Sequence, residues 1–419
     1  MSYAPYPTYK DSGVPWLGQV PEGWEPKKIK YLVNYIGSGK TPRGGAEIYT
    51  DDGIMILRSQ NVYDDGLRLK DVAYVTPEVE AQQINTRVQP ADVLLNITGA
   101  SIGRSSIVPD DLPTANVNQH VCIFRPQRTK IVPEFLHAFF CSSIGKEQVT
   151  SNENGTSREG LNFQQAGNLH LVLPPIEEQT AIADFLDKKT TEIDDLIAKK
   201  EELLRLLAEQ RTALITHAVT KGLNPNAPMK PSGIDWLDEM PQHWINPRIQ
   251  HVVQLRSGEA ITSGSIADAG DFPVYGGNGF RGYSDRYTHK GDFVLVGRQG
   301  ALCGNVNYAS GKFWASEHAL VANPLREFVV DWMGELLRAM NLNQYSVSAA
   351  QPGLSVDNIA KLRIPLPPIE EQREIATHIK RETLEISNVE KAAEKAIKKL
   401  REYRTALITN AVTGKIKVA

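Results

Sequence analysis

The run Gly37-Ser-Gly39-Lys40-Thr41 reproduces the end of a phosphate-binding loop, in which backbone N–H groups and a lysine cradle phosphates ahead of a helix. Two features argue against that chemistry. The full pattern needs glycine at position 34, which is Asn34, and Pro42 removes a backbone N–H where the helix would offer one to a phosphate. The sequence has no HExxH or GxSxG motif, no glycine-rich strand-turn-helix for a methyl-donor cofactor and no base-flipping signature. Cys122, Cys141 and Cys303 are scattered, odd in number and outside any CxxC spacing, so they read as inert core thiols. His120 and His318 read as hydrogen-bonded structural histidines. No catalytic residue, metal site or cofactor is predicted for this chain.

The loop side chains suit the reading of polynucleotide edges instead. Arg and Lys pair with guanine and Asn and Gln with adenine, while Ser, Thr and backbone N–H groups hold phosphates. In the first half the candidates are Lys40, Thr41, Arg43, Arg58, Ser59, Asn61, Thr98, Ser101, Arg104, Asn118, Gln119, Ser157, Arg158 and Asn162. In the second they are Asn278, Arg281, Tyr283, Arg286, Arg298, Gln299, Asn305, Gln351 and Ser355.

The elements that must position these residues occur twice. Ser12-Gly-Val-Pro-Trp16-Leu-Gly-Gln-Val-Pro21-Glu-Gly-Trp24 returns 220 positions later as Ser232-Gly-Ile-Asp-Trp236-Leu-Asp-Glu-Met-Pro241-Gln-His-Trp244. Leu173-Pro-Pro-Ile-Glu-Glu-Gln179 returns 193 positions later as Leu366-Pro-Pro-Ile-Glu-Glu-Gln372, and Arg211-Thr-Ala-Leu-Ile-Thr216 returns at the same offset as Arg404-Thr-Ala-Leu-Ile-Thr409. The segment from the Pro-Pro motif onward has therefore kept its length, whereas the stretch before it is 27 residues shorter in the second half (220 − 193).

Each Pro-Pro pair ends a strand and starts a helix, with Glu177 and Glu178 complementing the helix dipole. About 40 residues without Pro or Gly follow, ~60 Å of helix at ~1.5 Å per residue. Apolar residues recur at alternating steps of four and three, which is a coiled-coil pattern. The predicted seam is Ile182, Leu186, Ile193, Leu196, Leu203, Leu207 and Leu214, with Lys189, Lys200 and Gln210 between. In the second half it is Ile375, Ile379, Ile386, Val389, Ala393, Ala396, Leu400 and Leu407, with Glu382 and Tyr403 between. Polar seam residues do not align as a uniform homodimer would favour, so the two helices are expected to pair within one chain.

The regions 25–172 and 245–365 read as mixed α/β, with strands at Ile54–Leu57, Asp92–Ile97, His120–Phe124 and Asp292–Val296 and a helix at Pro133–Cys141. Gly160-Leu-Asn162 aligns with Gly353-Leu-Ser355, and Arg298-Gln299 stands in the alignment where the first half has Thr98-Gly99. The expected fold is two mixed α/β domains separated by two long antiparallel coiled-coil helices, a pseudo-two-fold internal repeat. The expected limits are 1–174 and 232–367 for the domains, 175–220 and 368–414 for the helices, and 221–231 for a Pro/Asn-rich linker.

The motifs together resemble the specificity subunit of a type I restriction-modification system. They are Trp-Leu-Gly-x-x-Pro-x-x-Trp, Gly39-Lys-Thr-Pro42, Leu57-Arg-Ser-Gln-Asn61, Asn96-Ile-Thr-Gly-Ala-Ser-Ile-Gly103, Pro273-Val-Tyr-Gly276 and the doubled Pro-Pro, heptad and Arg-Thr-Ala-Leu block. The resemblance implies two target recognition domains, each reading half of a split double-stranded DNA sequence. It also implies modification subunits that bring S-adenosylmethionine and methylate adenine, and restriction subunits that bring ATP and magnesium for translocation and cleavage. The specificity chain of that family is non-catalytic. The implied role is host defence in the cytoplasm.

Composition bounds this reading. At 419 residues with 41% hydrophobic content the chain can bury more than one core, and no apolar run is long enough to span a membrane. Net charge is −3, with fifteen Lys/Arg against sixteen Asp/Glu over 25–173 and eleven against ten over 245–365. A DNA-facing surface must then be a local patch. Two other readings stay open: a scaffold that clips two ligand-binding domains to a helical spacer, marked by apolar pockets in place of Arg/Asn/Gln loops, and a nucleotide enzyme, marked by ATP binding. Because counterion release scales with the phosphates neutralised, the isolated chain is expected to bind DNA weakly. Gel-shift titration checks this, and nanomolar affinity at physiological salt would contradict it.

Overall fold

Short apolar runs between glycine-rich turns form strands too short to stand alone, and they pair into small sheets under helices. The structure, a computed structural model, describes residues 3–40, 48–151, 160–300, 302–346 and 353–418. The first repeat contains β1 (Tyr9–Asp11), β2 (Gln19–Pro21), β3 (Glu25–Lys28), β4 (Val33–Ser38), β5 (Ile54–Leu57), β6 (Val62–Tyr63), β7 (Gly66–Leu67), β8 (Ala73–Val75), α1 (Pro77–Ala81), β9 (Val93–Asn96), β10 (Ser105–Ile107), β11 (Ala115–Val117), β12 (Val121–Pro126), α2 (Pro133–Cys141), α3 (Ser143–Ser151), α4 (Phe163–Gly167), β13 (His170–Leu173) and α5 (Ile176–Lys221). The second contains β14 (Met229–Ile234), β15 (Leu237–Pro241), β16 (Val253–Ser257), β17 (Phe272–Gly276), β18 (Gly279–Ser284), β19 (His289–Lys290), β20 (Phe293–Gly297), β21 (Val306–Ala309), β22 (Lys312–Ala315), β23 (Ala319–Pro324), α6 (Val330–Ala339), α7 (Val356–Lys361) and α8 (Ile369–Val412).

Two compact units result, unit 1 from Met1–Lys200 with Lys395–Ala419 and unit 2 from Glu201–Glu394. The sheets of one answer strand for strand to those of the other. The antiparallel order β10-β9-β12-β4 in unit 1 recurs as β21-β20-β23-β16 in unit 2. The order β11-β5-β8, with β11 parallel to β5, recurs as β22-β17-β18, with β22 parallel to β17 and β19 added at the edge. The missing length of the second half is explained largely by two places. Residues 58–72 between β5 and β8 shrink to the two residues 277 and 278 between β17 and β18, and α1 has no counterpart.

The long helices hold 46 and 44 residues, ~69 and ~66 Å. Within unit 1 the first half of α5 lies beside the last half of α8, and Arg404 Nε donates to Asp194 at 2.9 Å. Within unit 2 the last half of α5 lies beside the first half of α8, and Arg211 donates to Ser387 Oγ at 2.8 Å and Glu390 Oε2 at 2.7 Å. Each arginine opens an Arg-Thr-Ala-Leu motif, and both pairs are antiparallel.

The seam departs from the strict alternation in one place. Leu196, Leu203 and Val389 are 43%, 38% and 45% exposed, while Ile197, Leu207, Ile386, Ala393 and Ile397 are buried. Ile182, Leu186, Ile193, Ile375, Ile379 and Leu407 are buried, and Leu214 and Leu400 half-buried, where the pattern places them. In α5 two successive steps of four, Lys189 to Ile193 to Ile197, move alternate later positions by one, so Ile197, Leu204 and Arg211 replace Leu196, Leu203 and Gln210 while Leu207 and Leu214 keep their places. In α8 the same shift puts Glu390, Ile397 and Arg404 where Val389, Ala396 and Tyr403 were expected. The reason is geometric: a helix of ~3.6 residues per turn drifts ~20° per heptad from a 3.5 repeat, and an extra step of four recentres the buried stripe.

The repeated motifs make the joint between each unit's sheets and its helices. Trp24 Nε1 donates to Glu178 Oε2 at 3.1 Å, and Trp244 Nε1 to Glu371 Oε2 at 2.9 Å. Gln179 and Gln372, 1% and 2% exposed, do more. Gln179 accepts from Val132 N ahead of α2 and donates to the carbonyls of Pro174 and Lys130. Gln372 accepts from Val329 N ahead of α6 and donates to Pro367 O. Gly222 and Gly414, at φ +75° and +68°, end the helices in the left-handed conformation and lie against Trp244 and Trp24. Replacing either glutamine by leucine leaves buried backbone groups unpaired and is expected to destabilise its own unit by ~1–3 kcal/mol. Urea denaturation of Gln179→Leu and Gln372→Leu checks this, with a lowered midpoint expected in each.

Candidate nucleic-acid interface

In unit 1 the loops after β4, β5, β9 and β11 are tied at one end of the sheets. Ile97 N donates to His120 O at 3.0 Å, Leu161 N to Ile97 O at 2.9 Å, Asn118 N to Leu57 O and Gly39 N to Asn118 O, both at 3.1 Å. Gly39 is required here, because a Cβ on it would fall 1.4 Å from Val117 O. These bonds gather Lys40, Arg58, Ser59, Thr98, Ser101, Arg104, Asn118 and Gln119 on neighbouring loops. Ser38 ends a strand paired with β12, so the Gly37–Lys40 run begins inside a sheet and not in a phosphate-cradling loop.

Several gathered side chains hold the loops themselves. Buried Asn61 accepts from Arg58 N and donates to Arg68 O, so it fixes the turn and offers no edge to a base. Asn118 Oδ1 accepts from His120 N, and Ser101 Oγ and Ser59 O both accept from Asn96 Nδ2. His120 meets Thr98 Oγ1 and Gln119 Nε2. Arg58 donates to Asp71 O. The guanidinium of Arg104 lies 4.5 Å from the centre of the Tyr63 ring, and that of Arg68 5.1 Å. Tyr63 and Arg68 were not expected; the sequence around them shows only the turn signal Asp64-Asp65-Gly66.

Unit 2 repeats three of the four hydrogen bonds that gather these loops, while Gly258 N, the counterpart of Gly39 N, donates to Ala319 O. Arg298 N donates to His318 O and Leu354 N to Arg298 O, each at 2.9 Å, and Ser316 N donates to Tyr275 O at 2.8 Å. Gly304 N donates to Gly297 O and Cys303 N to Gly300 O, as Gly103 N does to Asn96 O and Ile102 N to Gly99 O. This register sets Arg298-Gln299 where unit 1 has Ile97-Thr98, one residue away from the alignment with Thr98-Gly99 read from the sequence. It also sets Asn305 opposite Arg104. Arg298 donates to Ser257 Oγ, and Gln299, Asn305, Asn278 and Arg281 are exposed. Tyr283 and Arg286 line a separate concavity of about 720 Å³ with Thr262, Asp271 and Trp314. Asn162 and Ser355 cap α4 and α7, accepting from Gln165 N and Asn358 N. Thr41, Arg43, Ser157, Arg158 and Gln351 lie outside the described residues.

The cavity of about 500 Å³ in unit 1 is a poor place for a phosphate. Asp64, Asp65, Glu134, Asp184, Asp187 and Asp194 line it against a single Arg404, and His137 is part of its wall. Burial pushes the His137 imidazole down to about 4. All three cysteines are buried. Because the folded His137 resists protonation, the unfolded chain takes up the proton first. Its stability contribution is full above pH ~6.5 and declines as pH falls toward 4. His137→Gln is expected to lose stability less steeply than the wild type between pH 6.5 and 4.5, as thermal melts across that range would show.

A profile of the type I restriction modification DNA specificity domain matches residues 21–205 and 241–399. The chain belongs to that family. It is 43% identical over 129 residues to the type I restriction enzyme EcoprrI specificity subunit of Escherichia coli, a match covering 30% of this chain and 32% of that one. It is 23% identical over 426 residues to the putative type I restriction enzyme MjaX specificity subunit of Methanocaldococcus jannaschii, covering 96% of each. Its fold is similar to a chain solved in a study of assembly and conformational transition of the type I R-M system, with a TM-score of 0.67 at 17% identity over 95% of this chain and 99% of that one. The HsdS subunit from Thermoanaerobacter tengcongensis gives 0.56 at 18%, over 95% and 98%. The family's function is DNA specificity in type I restriction-modification, with the catalytic activities in other subunits. No helix among the described residues is long and apolar enough to cross a membrane.

Proposed function

We propose that this chain reads a split DNA target. One half is read by the loops at 58–61, 97–104 and 118–120, the other by those at 277–281, 298–305 and 316–318. The single observation that carries this is that one hydrogen-bonded loop framework occurs in both units with different side chains displayed on it: Thr98 against Gln299, Arg104 against Asn305. A conserved frame with exchanged tips is what two readers of unlike half-sites need. The Arg, Gln and Asn content of those loops disfavours the scaffold reading. The recognition segments are taken as 1–174 and 232–367, joined by 221–231.

Helices α5 and α8, through residues 175–220 and 368–414, set the number of base pairs left unread between the half-sites. Modification subunits supply S-adenosylmethionine and methylate adenine, and restriction subunits supply ATP-driven, magnesium-dependent cleavage, acting in the cytoplasm. Exposed Leu203, Leu206, Leu384 and Val389 in unit 2, and Leu196 and Tyr403 in unit 1, give the helices apolar outer faces on which such subunits can seat. The test is mapping of methylated adenines in a host with and without the gene, and with one helical turn inserted at matched positions of both helices. The expected result is a bipartite motif that vanishes on deletion and gains about two unread base pairs on insertion, with both half-sites intact. An unchanged spacer would refute the ruler.

A further inference from the structure

We infer that Phe280 is a wedge with which unit 2 opens a base step in its half of the DNA target. The inference rests on the DNA-reading role proposed above for the loops at 298–305 and 316–318. Phe280 is the second residue of β18, just past the two-residue turn from β17, and is 55% exposed. The ring is not loose. Tyr283 meets it edge-on at 5.1 Å and Tyr275 at 6.3 Å, and Tyr275 is itself edge-on to fully buried Phe313 at 5.8 Å. An apolar ring braced from behind by aromatic neighbours loses little freedom on insertion into a base stack.

The turn that carries it is locked against the reading loops. Asn305 Nδ2 donates to Asn278 Oδ1 at 3.3 Å. Gly297 stands where unit 1 has Asn96, and a Cβ on Gly297 would fall 2.4 Å from Gly277 O. In unit 1 the Asn96 side chain bridges instead to Ser59 O at 2.8 Å, the carbonyl equivalent to that of Gly277. Loss of the side chain at 297 thus lets the β17–β18 turn sit directly on the loop. Gly279, at φ +93°, would bring a Cβ 2.8 Å from Asn307 Oδ1. Beside the ring, Arg281 is exposed, with its stem across Gly276, and provides the charge a flanking phosphate requires.

Among the described residues, the corresponding stretch of unit 1 carries exposed Leu69 but no ring braced by aromatic neighbours at its turn. Its residues 58–72 place Tyr63 beneath the guanidinium groups of Arg104 and Asp65-paired Arg68, which cover the ring against insertion. Distortion should therefore be confined to one half-site and fall at a flexible step such as pyrimidine–purine.

The test uses the full chain assembled with its modification subunits and duplexes carrying the mapped bipartite target, with 2-aminopurine placed at successive positions. Gln299→Ala first identifies the half-site that unit 2 reads. The wild-type complex is expected to raise 2-aminopurine fluorescence at one step of that half-site only. Phe280→Ala should abolish the rise and weaken binding about tenfold, in line with the worth of one base–aromatic stack, and Phe280→Trp should restore both. Binding to a duplex with that half-site scrambled should be the same for wild type and Phe280→Ala. If Gln299→Ala alters specificity at one half-site while Phe280→Ala, with wild-type melting, leaves fluorescence and affinity unchanged, the wedge is wrong and the reading face stands. If neither Gln299→Ala nor Arg298→Ala alters specificity at any position, the reading face itself fails and the wedge with it.

Discussion

A carboxamide with almost no access to water fastens each set of sheets to its helix. Gln179 and Gln372 each accept from the backbone N–H that precedes a domain helix and donate to the Pro-Pro carbonyl that precedes a spacer helix. A buried amide satisfied on both sides fixes direction as well as distance, because each bond fails when the angle opens. The adjoining Trp-to-carboxylate bonds from Trp24 and Trp244 add a second point of attachment. Side chains on the loops after β5, β9 and β11, and on their counterparts in unit 2, can vary without moving the helices, since none of these bonds involves those loops.

That separation of roles explains the length pattern. The segment kept constant contains the glutamine and glutamate halves of the joint, the seam and the interhelical arginines, all of which depend on register. The segment that varies holds the sheets and loops, where residues 58–72 can collapse to a two-residue turn without changing strand order. Arg211 and Arg404 show how register is held. Placed within the apolar stripe, each meets acidic or hydroxyl partners on the facing helix, Glu390 and Ser387 or Asp194, so a slipped pairing would take a half-buried guanidinium away from them.

Much of this was legible in the sequence, where the physics is local. Proline and acidic residues mark the helix starts, and the strands at 54–57 and 293–296 and the helix at 133–141 lie where apolar runs and turn residues place them. Alternate seam positions beyond Ile193 were not legible, because Leu196 and Leu203 satisfy a 3.5 repeat better than Arg211 does; only packing against the other helix shows that those positions have moved. Nor was the equivalence of Ile97 with Arg298. Asn96 and Gly297 share no chemistry, and their correspondence follows from a backbone bond pattern that residue identity does not encode. Asn61, Asn162 and Ser355 have side chains suited to bases, yet turn and cap geometry engages them first.

Continuity of α5 and α8 has an angular consequence. Four added residues advance a helix by ~6 Å and leave it turned by ~40° beyond a full circle. Two base pairs of DNA occupy nearly the same rise but turn by ~70°. Under the spacing role proposed for these helices, an added turn that matches the duplex rise is out of phase by roughly a tenth of a revolution, which twist in the DNA or give in the joints would absorb. On that proposal, changes in spacing come in a few discrete sizes, those at which the two screws come back into step.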